Sequence, residues 1–179
     1  CGCASERCRR RGQWEEAACR GSELLTKKLV EACIGKRPLH PSQERALECL
    51  DKGVNTLAVM GTGRGKSLIF QIHAARCALS QGKASILVYP LRALISDQEF
   101  HLNALFERFG LRVASLTGET PSTRRAAVYE GLSNGGIDVV LTTPEYLACH
   151  MDDISACGRI GFMVVDEAHH MAQAGAGKR

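Results

Sequence analysis

Aromatic side chains are scarce, with 5 Phe, 3 Tyr and 1 Trp among 179 residues, which argues against a surface built on rows of stacked rings. Long apolar runs are missing too. No stretch reaches the roughly eighteen uninterrupted apolar residues of a membrane span, and Cys1–Arg20 lacks the apolar centre of a signal peptide. Net charge is small: 23 Lys+Arg against 19 Asp+Glu leave +4, so a polyanionic partner is permitted by charge but not required by it. There is no internal repeat and no low-complexity tract. What is present, 45% hydrophobic and 23% charged residues, matches soluble globular chains and excludes disorder, collagen and a disulfide-stapled miniprotein. The expectation is one ordinary domain of a cytoplasmic, intracellular protein, and a first residue other than Met suggests a piece of a longer one.

Cysteine is plentiful. Nine in a chain without a secretory signal read as reduced thiols or metal ligands. Four of them, with Arg7, Arg9, Arg10 and Arg11, fall in a first zone, residues 1–21, which reads as a linker or a small metal site. The spacing C-x-C-x4-C-x10-C of Cys1, Cys3, Cys8 and Cys19 allows either one zinc bound by four thiolates or free thiols, and it is not a standard zinc pattern. Arg9–Arg11 form either a solvated run or a phosphate contact. Cys33, Cys49, Cys77, Cys149 and Cys157 fall in or beside apolar patterns and read as small core residues.

Residues 22–179 form the second zone. Ser22 as N-cap, then Leu24, Leu25, Leu29, Val30 and Ile34 before Gly35, predict a helix. A second follows Pro41, with Ala46, Leu47 and Leu50 on its buried face and Gly53 at its stop. From there five β-type runs alternate with helical ones: Thr56–Met60, Ser85–Tyr89, Val113–Leu116, Ile137–Thr142 and Phe162–Val165. Nearly continuous apolar strands separated by helices predict an α/β fold, a doubly wound parallel sheet with helices on both faces.

The first of these runs leads into Gly61-Thr62-Gly63-Arg64-Gly65-Lys66-Ser67, and Leu68, Ile69, Ile72 and Ala75 continue as a helix. Glycines let backbone N–H groups and the helix N-terminus face an anion. Lys66 supplies a point charge to the β and γ phosphates of a nucleotide, and Ser67 can ligate Mg²⁺. The strict signature wants Gly where Met60 stands, so an ordinary glycine-rich loop is the competing reading. Asp166-Glu167-Ala168-His169 follows the strand Phe162–Val165, and in a parallel sheet the carboxyl ends of the strands share one edge with the phosphate turn. There Asp166 is suited to hold Mg²⁺ and Glu167 to orient the water that attacks the γ-phosphate. The competing reading is a solvated acidic turn.

Together these motifs resemble the first RecA-like domain of a superfamily 2 helicase, in particular the RecQ-type group, over about Leu39 to Arg179. The run Lys66-Ser67-Leu68-Ile69-Phe70-Gln71 is more specific than a bare phosphate loop, and further segments follow in family order. Pro90–Gln98 is similar to motif Ia, Thr117-Gly118-Glu119 to motif Ib, Thr142-Thr143-Pro144-Glu145 to motif Ic and Asp166–His169 to motif II. The resemblance implies ATP and Mg²⁺ as cofactors, held by Gly61, Thr62, Gly63, Arg64, Gly65, Lys66, Ser67 and Asp166. It places Gln43 where an adenine-reading glutamine stands, the alternative being an exposed helix residue, with Arg37 or His40 packing on the base. Arg92, Thr117, Gly118, Thr142 and Thr143 would hold a nucleic-acid backbone, although each Thr alone also suits a turn or N-cap. His169 would link the nucleotide and nucleic-acid sides, or be a satisfied polar residue at a strand end.

The segment His170–Arg179 lacks the aromatics that usually follow motif II in this group. Neither motif III nor the second RecA-like domain, with its arginine finger, is in the chain. The finger contributes about 10³–10⁵ in rate, so this chain alone is expected to bind ATP weakly and hydrolyse it negligibly. In a full-length parent the resemblance implies an ATP-dependent DNA helicase acting on single strands or duplex junctions. An RNA helicase or a nucleotide-gated binding module remain alternatives. RecJ-type nuclease fusions of such motors would fit a Cys-rich junction.

Overall fold

The structure is a computed structural model that describes residues 2–61 and 63–169, with backbone alone for 2–5. In chain order the elements are α1 (Gly2–Cys19), α2 (Ser22–Ile34), α3 (Pro41–Asp51), α4 (Lys66–Gln81), β1 (Ala84–Val88), α5 (Arg92–Glu107), β2 (Val113–Leu116), α6 (Ser122–Asn134), β3 (Val139–Thr142), α7 (Pro144–Ala156) and β4 (Ile160–Val165). The four strands pair in the order β2-β3-β1-β4, all parallel. All five residues of β1, an inner strand paired with β3 and β4, are buried.

The strand period of two sorts side chains onto two cores. Leu87, Val139 and Leu141 face a cluster with Leu25, Leu29, Ile72, Leu102 and Phe106 from the earlier helices. Ile86, Val88 and Val140 face a second cluster with Val128 and Leu132 of α6 and Ile154 of α7. Helices therefore cover both faces. The most deeply set is α4, which turns on at Gly65 (φ 75°) and off at Gly82 (φ 62°), both left-handed.

One expected strand is absent. Thr56–Met60 joins no sheet, and Leu57 and Val59 are 83% and 87% exposed. An apolar run becomes a strand only where a neighbour takes up its backbone N–H and C=O groups, and no described strand pairs with this one. The matching feature is β4, the terminal strand of the sheet, whose Met163 and Val165 are exposed on one face while Phe162 and Val164 pack on the other.

The segment read as a linker is a helix packed on α2 and α4. Its anchor is Asp138, a fully buried carboxylate. Arg11 donates to Asp138 Oδ1 at 2.8 Å, the Arg112 backbone N–H donates to Oδ2 at 2.9 Å, and Arg7 lies 3.9 Å from Oδ2. Trp14 meets Phe109 edge-on at 4.8 Å. At Gly110 (φ 71°) a Cβ would stand 2.7–2.8 Å from atoms of Arg11 and Arg7, so only glycine permits the helix this close. The helix also corrects the zinc reading. Cys8 and Cys19 lie on one helix eleven residues apart, a rise of about 16 Å, whereas thiolates on one zinc sit about 4 Å from each other. Cys1 and the side chain of Cys3 lie outside the described residues. Among the described residues no group of three or more His, Cys, Asp or Glu is placed to hold a metal ion.

Candidate nucleotide site and nucleic-acid face

Parallel pairing brings the ends of all four strands to one edge, and the motifs collect there. The Asp166 N–H donates to Val88 O at 2.9 Å, which extends the β1–β4 ladder one residue and fixes the carboxylate at the edge. Glu167 follows with φ 50°, the one left-handed non-glycine among the described residues. Such a backbone costs of order 1 kcal/mol or more. It is steadied by the Glu167 N–H, which donates to Asp166 Oδ1 at 3.0 Å.

Across from them, the first residue of α4 is Lys66, whose Nζ lies 3.4 Å from Glu167 Oε1. The other carboxylate oxygen, Oε2, lies 3.3 Å from His169 Nδ1. Glu167 thus spans the phosphate loop and His169. The loop itself curls through Gly63 and Gly65, both at φ 75°, and Ser67 is exposed beside Lys66. The first backbone N–H groups of a helix have no intrahelical acceptor, so α4 presents an anion-binding end flanked by a lysine and a hydroxyl. With Asp166 opposite, the donor set fits a nucleotide triphosphate and Mg²⁺, an ion that takes one or two protein ligands and completes its shell with phosphate and water. Burial pushes the Asp166 carboxyl above its ordinary range; the Glu167 N–H and Lys66 oppose the shift, and the Glu167 charge adds to it. Thr62 lies outside the described residues.

Gln43 is buried. Its Oε1 accepts from the His40 N–H at 2.8 Å, while its Nε2 donates to Gly65 O at 2.9 Å. His40 Nδ1 in turn accepts from the Ser42 N–H, capping α3 together with Pro41. The amide therefore ties the start of α3 to the phosphate loop. A larger residue at Gly65 would be strained by the left-handed φ of 75° and would displace the Gln43 amide, whose Nε2 a Cβ there would approach to 2.5 Å. Arg37 is exposed and donates to Ile34 O.

The segments assigned to a backbone contact divide. Arg92, the first residue of α5, is exposed and pairs with Glu119. Thr117 is half-buried and Gly118 exposed in the turn after β2. Thr142 and Thr143 are corrected: both are buried, the Thr142 hydroxyl donates to Leu116 O at 2.7 Å, and Thr143 Oγ1 caps α7 by accepting from the Tyr146 N–H. Their hydroxyls hold the sheet and the helix. Glu119 and Asp138 carry no local signal of their roles, because their partners Arg92 and Arg11 are remote in the chain. The residues after His169, with their lack of aromatics, lie outside the described residues.

The sequence model of the DEAD/DEAH box helicase family matches residues 40–179. Human ATP-dependent DNA helicase Q4 is 29% identical over 142 residues, which cover 78% of this chain and 11% of that protein. ATP-dependent DNA helicase Hel308 of Caldivirga maquilingensis is 33% identical over 137 residues, 75% of this chain and 17% of that protein. The chain thus spans less than a fifth of the length of either. Among solved structures, DUF1998 helicase MrfA bound to DNA and AMPPNP superposes with a TM-score of 0.66 at 22% identity, covering 79% of this chain and 21% of that one. A hypothetical ATP-dependent RNA helicase from Sulfolobus tokodaii gives 0.61 at 22% identity, covering 83% and 43%. These structural likenesses speak for the fold. With the family model spanning the phosphate loop, the motifs at the four strand ends and the sheet itself, the chain belongs to the DEAD/DEAH box helicase family.

Proposed function

We propose that the chain is the ATP-binding motor domain of an ATP-dependent DNA helicase, coupling hydrolysis to movement along DNA in its full-length parent. The observation that carries this reading is the Lys66–Glu167 contact beside Asp166, a phosphate-binding cation held against the carboxylate suited to activate water. ATP and Mg²⁺ would supply the transferable phosphoryl group and the charge that neutralises it. Lys66 and the N-terminal amides of α4 bind phosphate, and Ser67 and Asp166 hold the cation. Once Lys66 turns to phosphate, Glu167 is released to orient the attacking water, and positioning of this kind supplies most of the catalysis in phosphoryl transfer. His169, paired to the same carboxylate, is placed to report its state to the nucleic-acid side. Reading of adenine by Gln43 requires its amide to exchange His40 and Gly65 for the base.

Arg92, Thr117 and Gly118 form the backbone-holding face, contacts that position a strand without reading its sequence. DNA is preferred over RNA because both sequence relatives named above are DNA helicases. No helix among the described residues is long and apolar enough to cross a membrane, in keeping with a cytoplasmic, DNA-associated protein. Steady-state ATPase activity of the full-length parent with no nucleic acid, single-stranded DNA or single-stranded RNA, beside Lys66→Ala, tests the reading. DNA-specific stimulation lost in Lys66→Ala is expected. RNA-specific stimulation would make it an RNA motor, and retained ATP binding without stimulation by either polymer would leave a nucleotide-gated binding module.

A further inference from the structure

The two loops read as backbone-holding are closed on each other by an ion pair between Arg92 Nη1 and Glu119 Oε1. Glu119 is held in place by its turn. Its N–H donates to Thr117 Oγ1 at 3.3 Å, the Thr117 N–H donates to Thr120 Oγ1 at 2.9 Å, and the Thr120 N–H returns to Thr117 O at 3.0 Å. The carboxylate is presented to Arg92 by a fixed scaffold.

A neighbouring pair provides a contrast. Arg124 meets Glu99 at 2.9 Å, but Glu99 is also bound by the Ser115 hydroxyl at 2.6 Å and is only 19% exposed. That carboxylate is part of the framework. Glu119 is 75% exposed and Arg92 59%, and an ion pair in that setting is weak and screened by salt. A phosphodiester offers the same guanidinium two charged oxygens in a comparable geometry, so carboxylate and phosphate compete for one site.

We propose that Glu119 is the resident counter-ion of Arg92, a carboxylate in the place of a backbone phosphate, which nucleic acid must displace and which thereby sets the affinity of this face. The inference rests on the nucleic-acid reading above and names the residue that tunes it. With the pair intact the face is neutral at its centre. Displacement leaves the Glu119 charge beside the incoming phosphate, so the acidic residue opposes binding both before and after exchange.

The test is fluorescence anisotropy of a labelled oligo-dT with the 179-residue chain as wild type, Glu119→Gln, Arg92→Gln and the double variant, at low and moderate salt. Glu119→Gln is expected to tighten binding about 3–10-fold at low salt, with the gain fading as salt rises. Arg92→Gln is expected to weaken binding, and Glu119→Gln is expected to gain clearly less in the Arg92→Gln background, where only the direct repulsion between Glu119 and phosphate is left to remove. An equal gain in both backgrounds would reduce Glu119 to one more negative surface charge and overturn the proposal, as would no gain at all. If neither wild type nor Glu119→Gln binds at low salt while their circular dichroism melts coincide, the nucleic-acid reading itself fails and takes the inference with it.

Discussion

Lys66 and Glu167 form a half-exposed ion pair, and pairs of this kind contribute about 0–1 kcal/mol to stability. Lys66→Ala should therefore leave the thermal midpoint without ATP within about 2 °C of wild type while abolishing the rise that ATP with Mg²⁺ produces. A parallel loss of intrinsic stability would mean that the pair serves the fold rather than the nucleotide. Asp166 behaves differently because burial raises its carboxyl. The folded state holds that proton more tightly than the unfolded chain, so the contribution is fully present below the ordinary carboxylate range and is lost as pH rises through the raised value. At neutral pH the ionised form is a net cost. Asp166→Asn should accordingly raise the midpoint at pH 7, with the gain vanishing below the ordinary carboxylate range, even as nucleotide-dependent stabilisation disappears. Melts across that range decide it, and a midpoint lowered at pH 7 contradicts it. These residues were legible because each motif is contiguous and bounded by a strand or helix signal. The burial of Thr142 and Thr143 was not, since a hydroxyl at a strand end looks the same in sequence whether it faces a phosphate or the Leu116 carbonyl.

Among the elements, α4 and the four paired strands follow the apolar patterning closely; β1 and β3, buried on both faces, leave unbroken apolar runs in the sequence, and β4 keeps such a run although one of its faces is exposed. The first helix left no such trace. Its attachment runs through arginines to a carboxylate more than a hundred residues away, and an Asp inside the run Ile137–Thr142 gives no local sign of so distant a partner. Removing one partner of a buried ion pair leaves the other charge uncompensated. Asp138→Ala should cost about 2–4 kcal/mol in urea unfolding, followed by the fluorescence of Trp14, the single tryptophan. Because Trp14 sits on α1 against Phe109, a separate early transition in this variant would show the helix undocking before the sheet melts. A loss below about 0.5 kcal/mol would place the anchor in the Trp14–Phe109 contact instead. Thr56–Met60 failed as a strand for a different reason: its composition supports pairing, but pairing is supplied by a neighbour and not by the run itself.

At the scale of the whole molecule, the unpaired run and the outer edge of β4 leave Val54, Leu57, Val59, Met163 and Val165 on the surface. Exposed apolar backbone at a sheet edge is a template for association between chains. Leu57→Lys with Val59→Glu should lower light scattering of concentrated protein while changing unfolding free energy by less than about 0.5 kcal/mol, since neither side chain is buried. Unchanged scattering would mean that this surface does not drive association between chains. The clasp of α1 on Asp138 carries a consequence for synthesis. Arg11 leaves the ribosome 127 residues ahead of its acceptor, a delay of roughly 6–25 s at cellular elongation rates. Throughout that interval Arg11 has only Glu15 of its own helix as counter-charge, so the order of translation makes docking of α1 on the sheet a late event.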